Sequence, residues 1–368
     1  MRYMLQVNTG SLTRTADAGT VVERLGRSLD RLDVSGVIYG WSPDRAVNEA
    51  VSSLLQRRSI AQYLWLPVFC EIHGEDAAPF VGVGGMRAQA IDGLCAGESF
   101  DFVCQSSPQN RDRAAEFLES LAAMLPLDGV FIDRIRYASA ANSRDDLFGC
   151  WCEGCARRYA EAGVDADRIH AMARGDCLAE FVPERLEGCA YRFRDADVDR
   201  LMAVRRGIIT EAMRALCDRF RRAGLRIGID TFAPAVADFV GQDLLALGGL
   251  ADFIKPMMYL RTAAPAGVPY EADALGDAIE VRLSRLWGAD IRGVEGAVIQ
   301  ARRLMDAGLN VAPGIDANRI EGVCGADADY VTGYLDALEA AGCGEAVLSW
   351  DVARIGDDVI DAVARRSR

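Results

Sequence analysis

Lysine is almost absent from this chain of 368 residues. Of the 41 basic side chains only Lys255 is a lysine, so a lysine-dependent mechanism has one candidate. Histidine is nearly as scarce, with two copies. Positive charge as a whole is short: 54 acidic residues outnumber the basic ones and leave a net charge of −13. That balance argues against a nucleic-acid backbone or an anionic membrane surface as the main partner, and a neutral or cationic small ligand fits better. No apolar run approaches the length of a bilayer span, and the opening "MRYMLQVNTG" lacks the apolar core and cleavage site of a secretory signal, so a soluble cytoplasmic protein is expected. The first apolar run leads into "NTGSLTRT" with no G-x-G-x-x-G loop, which removes the main support for a dinucleotide site. No internal repeat or low-complexity tract is visible. Eleven cysteines, an odd number spread over a long chain, read mostly as reduced, buried small hydrophobes.

What is present is alternation. Eight short apolar runs recur: "YMLQVN", "GVIYGW", "YLWLPVFCEI", "GVFIDRI", "RIGIDTF", "FIKPMMYL", "NVAPGI" and "AVLSWDV". Most gaps between them hold segments with apolar spacing of three and four, such as "RAAEFLESLAAML" and "GIITEAMRALCDRFRRAGL", several closed by glycine at Gly224, Gly308 and Gly342. Eight near-continuous apolar strands alternating with amphipathic helices predict an α/β protein, a single (β/α)8 TIM barrel over residues 1–368. A doubly wound open sheet is the other reading. Two connections are long, an insertion at 72–110 after the third strand and one at 138–200 after the fourth. Both emerge on the face where barrel active sites lie.

The strand ends are polar and aromatic where they approach that face. The first strands offer Asn8, Tyr39 and Trp41, the third Glu71 and His73, and the fourth Asp133, Arg136 and Tyr137. Later strands offer Asp230, then Lys255, Met257 and Tyr259, then Asp316, then Trp350 and Asp351. Carboxylates among indole and phenol rings suit a sugar-cleaving site. Rings stack on apolar sugar faces, while two acids flank one glycosidic bond, about 5–5.5 Å apart for retention and about 6.5–9.5 Å for inversion.

Asp133 is the foremost catalytic candidate. It follows an apolar run in "DGVFIDRIRYAS", where an unpaired buried charge is costly, so it is paired, protonated or facing a cleft. A rim ion pair with Arg134 or Arg136 is the structural alternative. Asp230 at the end of "RIGID" is the candidate proton donor or else a helix cap, and Glu71 is its rival, with His73 two residues beyond. Asp316 and Asp351 sit in "GIDANRIEG" and "SWDVARIG", which also read as turns entering helices. The cluster "FGCWCEGC" sets Cys150, Cys152 and Cys155 at a spacing that suits three thiolates of a structural zinc, with His170, Cys177 and Cys189 downstream. A disulfide or packing against Trp151 are the alternatives.

The segment "FVCQSSPQNRDRAAEFLESLAAMLPLDGVFIDRIRYASAAN" followed by "FGCWCEGC" resembles a set of glycosidase-like TIM-barrel proteins distantly related to the α-amylase and α-galactosidase barrels. Those proteins carry "CP-x-NP-x-x-R", "DG-hydrophobic-x-x-D-x-x-R-Y/F" and "CFC-x-x-C" elements, and "ADFIKPMMY" resembles their sixth strand. The resemblance implies a (β/α)8 barrel acting on glycans, with Asp133 matching the fourth-strand nucleophile. This chain departs from the pattern at Gln105, which replaces a proline, and at Ala138 after Tyr137. It also has Asp230 where the amylase barrels carry a glutamate.

Three functions compete. The first is a glycoside hydrolase using Asp133 with Asp230 or Glu71, needing no catalytic cofactor and acting on a small-molecule or oligosaccharide substrate. The second is a lyase or aldolase with Lys255 as Schiff base, its ammonium desolvated among apolar residues. The third is a glycan-binding barrel without catalysis, presenting Trp41, Tyr259 and Trp350. The sugar and the oligomeric state stay open.

Overall fold

The computed structural model of the protein describes residues 1–10, 16–40, 42, 44–87, 100–143, 146–175, 178 and 181–366. In chain order its strands are β1 (Arg2–Asn8), β2 (Val34–Gly40), β3 (Ala61–Pro67), β4 (Gly129–Asp133), β5 (Pro183–Glu187), β6 (Ala190–Phe193), β7 (Arg226–Phe232), β8 (Phe253–Met257), β9 (Gly314–Asp316), β10 (Arg319–Ile320), β11 (Cys324–Gly325) and β12 (Glu345–Ser349). Eight of them close into a parallel barrel in the order β1, β12, β9, β8, β7, β4, β3, β2, while β5–β6 and β10–β11 form small antiparallel pairs outside it. Closure is made by β1 against β12, from Arg2 opposite Glu345 to Leu5 opposite Leu348. Each of the eight apolar runs read from the sequence overlaps a barrel strand, although "YLWLPVFCEI" and "FIKPMMYL" run past the ends of β3 and β8, and only the last two residues of "NVAPGI" belong to β9.

The helices are α1 (Ala18–Leu29), α2 (Arg45–Arg58), α3 (Pro108–Ala122), α4 (Glu153–Glu161), α5 (Ala166–Arg174), α6 (Ala196–Arg222), α7 (Pro234–Ala237), α8 (Leu244–Gly248), α9 (Val268–Leu275), α10 (Asp277–Trp287), α11 (Val294–Asp306), α12 (Ala328–Ala340) and α13 (Asp357–Arg366). Their starts follow capping chemistry. Asp17, Asp44 and Ser107 accept backbone N–H bonds from Thr20, Ala46 and Asn110, and Pro108 occupies the first turn of α3. The helix α6 begins at Ala196, well before the periodic segment that opens at Gly207, because Asp195 caps it and Val198, Leu201 and Met202 already bury an apolar face.

Alternation along the strands decides what enters the barrel. Met4, Ile38, Tyr63, Trp65, Phe131, Phe253, Ala312 and Val347 pack together as its interior floor. One step further along the same faces come Gln6 on β1, Asp133 on β4, Asp230 on β7 and Lys255 on β8, so the interior turns polar toward the strand C-termini. The register sets Asp230 opposite Lys255 and Phe131 opposite Gly228. After Asp133 the chain turns sharply, with Arg134 in the left-handed region at φ 52°.

Candidate active site

At the C-terminal face a cleft of about 640 Å³, its open mouth included, is lined among others by Trp65, Asp133, Arg136, Asp230, Tyr259 and Trp350. Gln6, Met257, Phe100 and Phe232 also reach it, and Thr262 with residues 264–266 forms one wall. Asp133 is the last residue of β4 and is 8% exposed. Its two oxygens have separate donors: the Trp65 indole N–H reaches Oδ2 at 2.9 Å, and the Arg134 backbone N–H meets Oδ1.

Asp230, on the neighbouring strand β7, is almost fully buried. Lys255 Nζ lies 3.0 Å from its Oδ2, while Oδ1 has no hydrogen-bond partner among the described residues. Burial pushes this carboxyl up to about 8 against the pull of Lys255, and the neighbouring Asp133 charge adds to the rise. The two acids thus sit side by side in unlike surroundings, the arrangement by which one fold separates acid from base roles.

Lys255 itself is wholly buried behind Asp230. Its three N–H donors are matched by three acceptors: Asp230, Gln6 Oε1 at 3.1 Å and the Tyr259 hydroxyl at 2.6 Å. Gly314 makes this possible, since a Cβ there would fall 2.3 Å from Lys255 Cε. Arg136 lies across Phe102 and Phe232 at 4.9 and 4.6 Å and donates to the Tyr137 carbonyl and to Asn142. Burial lowers its pKa to about 10, which leaves it a cation at neutral pH. Trp350 leans on Tyr259 with ring centroids 5.6 Å apart, a pair of rings open to the cleft.

Several residues singled out from the sequence stand off this cleft. The strand β3 stops at Pro67, so Glu71 and His73 belong to the following loop. Glu71 pairs with Arg134 at 2.6 Å, and His73 Nε2 bonds the Val68 carbonyl at 2.7 Å. Tyr137 is completely buried on the other side of the chain from Arg136, under the Arg205 guanidinium at 4.4 Å. Asp316 is buried and gathers N–H bonds from Leu260 and Arg261 and hydroxyl bonds from Thr262 and Tyr330. Asp351 caps the turn at Val352–Arg354 and accepts from Asn8 N. Trp41 lies outside the described residues.

Conversely, Trp65 and Gln6 were hidden within strands, although each shares the inward parity of Asp133's layer. The thiol group is larger than the three cysteines of "CWCEGC": Cys104, from the segment before α3, joins Cys150, Cys152 and Cys155, with all four sulfurs within 4.8 Å of one another. His170 packs instead against Trp151, with ring centroids 4.4 Å apart.

No family model matches the chain, and no curated protein matches it by sequence. Solved structures match it throughout its length. The PgaB (BpsB) glycoside hydrolase domain from Bordetella bronchiseptica is 13% identical over 99% of this chain and 98% of that domain, with a TM-score of 0.60. Catalytic domain 2 of the Group II chitinase from Ostrinia furnacalis is 10% identical over 100% and 97%, TM-score 0.50. YKL-39, solved in the presence of chitooligosaccharides, is 10% identical over 99% of each chain, TM-score 0.50. The chain therefore has the fold of glycoside hydrolase barrels.

Proposed function

We propose that the protein is a glycoside hydrolase that cleaves an O-glycosidic bond in this cleft. The reading rests above all on Asp133 and Asp230, two carboxyl groups on adjacent barrel strands that face one ring-lined cavity, the first held by two N–H donors and the second desolvated beside Lys255. Asp133, held by two N–H donors, serves as nucleophile or as the carboxylate that stabilises the developing oxocarbenium ion. Asp230, whose proton affinity is raised by burial, serves as general acid toward the leaving oxygen. Trp65, Tyr259 and Trp350 supply faces for the sugar, and Arg136 and Gln6 supply donors to its hydroxyls. Side chains carry both the protons and the charge, so the chemistry asks for no cofactor.

The occupied donors of Lys255 speak against the Schiff-base reading, because a nucleophilic amine needs a free approach to its nitrogen. Lys255 is better placed as the cation that positions Asp230. The test is sugar release from a panel that includes chitooligosaccharides and their deacetylated forms, assayed with wild type, Asp133→Asn and Asp230→Asn. Asp133→Asn is expected to fall to background and Asp230→Asn by about 10²–10⁴-fold, both with unchanged circular dichroism. Binding to the panel without turnover by the wild type selects the non-catalytic glycan-binding barrel instead, and full activity in Asp133→Asn removes the nucleophile assignment.

A further inference from the structure

We propose that Cys104, Cys150, Cys152 and Cys155 together bind one tetrahedral metal ion of the zinc class, which ties the segment after β3 to the insertion after β4. Cys104 Sγ lies 3.5 Å from Cys152 Sγ and 3.7 Å from Cys155 Sγ, and all four sulfurs fall within 4.8 Å of one another. A tetrahedral ion with Zn–S bonds of about 2.3 Å holds its thiolates about 3.8 Å apart. A disulfide would draw two sulfurs to about 2.05 Å, and all four cysteines here are free. Three of the four are buried and Cys152 is half-buried. Thiols are weak hydrogen-bond partners, so a knot of four gains little from mutual contact, whereas a shared cation satisfies all four as thiolates.

The surroundings are those of a supported metal site. The Val81 backbone N–H points at Cys150 Sγ from 3.4 Å, and the Ser106 hydroxyl touches Cys104 Sγ at 3.1 Å and Cys155 Sγ at 3.2 Å. The ligands come from separate stretches of chain, Cys104 ahead of α3 and the other three at the start of α4. What Cys104 anchors is the cleft wall. Gln105 Nε2 bonds the Arg136 carbonyl at 3.2 Å, and the Phe102 ring lies under the Arg136 guanidinium. The site stands whether or not the cleft hydrolyses a glycan.

Elemental analysis of protein purified with reductant and without added metal is expected to give about one zinc per chain. A mercurial titrated into it should release that zinc as four thiols react, and replacement by Co(II) should give the intense visible bands of a tetrahedral thiolate site. Outer-shell partners of a metal already contribute about 10–100-fold in affinity, so Cys104→Ser should weaken competition against a chromogenic chelator by at least tenfold, while Cys217→Ser leaves it unchanged. Should Cys104→Ser fail to fold, the wild-type Co(II) spectrum and thiol count still decide. Metal-free protein that keeps these thiols reduced, disulfides among them by mass spectrometry, or zinc retained undiminished in folded Cys104→Ser would each overturn the proposal.

Discussion

The Asp230–Lys255 pair is where single residues decide the chemistry. A lysine and a carboxyl buried together are costly to desolvate, and removing one of them costs more, so their presence inside a barrel calls for a task. Here Lys255 restrains, without cancelling, the upward push that burial gives Asp230. A general acid must carry its proton, so kcat/KM is expected to fall as pH rises through about 8, the region where Asp230 loses it. Lys255→Gln removes a cause that lowers the Asp230 pKa, and the alkaline limb should then move to higher pH. pH–rate profiles of the two proteins measure this, and an alkaline limb that stays in place in Lys255→Gln would separate the lysine from the acid. Both carboxylates were legible from sequence, since each breaks an apolar run two residues after an inward position. The lysine's role was not, because "FIKPMMYL" places Tyr259 near the lone cation but not the Gln6 and Asp230 that reach it from two other strands.

Elements matter where loops must become walls. The cleft side formed by Thr262 and residues 264–266 is held by Asp316, whose carboxyl accepts from Arg261 N at 2.6 Å, Leu260 N at 3.3 Å, Thr262 Oγ1 at 2.9 Å and the Tyr330 hydroxyl. Asp316→Ala leaves several buried donors unmatched, at about 1–3 kcal/mol for each that finds no water. We expect it to lose about 2–4 kcal/mol in urea denaturation and to raise KM more than it lowers kcat. A KM unchanged within error would mean that this wall does not touch the substrate. Asp316 ends a strand as Asp133 does, and its observed role shows the limit of that rule: a strand-end acid serves the neighbouring loop when backbone N–H groups turn toward it. The same limit applies to Glu71 and His73. The strand β3 stops at Pro67 within "YLWLPVFCEI", and the residues beyond Val68 answer to loop geometry. Cys104 was missed for a related reason, since a ligand contributed by a distant segment has no spacing to read.

At the scale of the whole molecule, the barrel explains why alternation was so informative. Every inward position belongs to one packed column, so a run of two-residue steps carries the chain from Phe131 in the floor to Asp133 in the cleft, and from Gly228 to Asp230 on the next strand. The eight strands were legible because burial on both faces leaves continuous apolar runs. The wall was not, since loops carry no such period. Packing of the floor now makes a prediction of its own. A Cβ on Gly228 would lie 2.4 Å from Phe253 Cζ and 2.8 Å from Phe131 Cδ2, both rings fixed in the closed interior. Gly228→Ala should therefore destabilise the fold by about 1–3 kcal/mol, as overpacking does, and should depress kcat by tilting the strand that carries Asp230. A Cβ on Gly207, within α6, would meet no described atom within 4 Å apart from its own helix backbone, so Gly207→Ala should stabilise by about 0.5–1 kcal/mol through helix propensity alone. Urea midpoints for the pair measure the contrast directly: opposite shifts are expected, and a Gly228→Ala midpoint equal to wild type would show that the floor of the barrel has room that the packing of its rings denies.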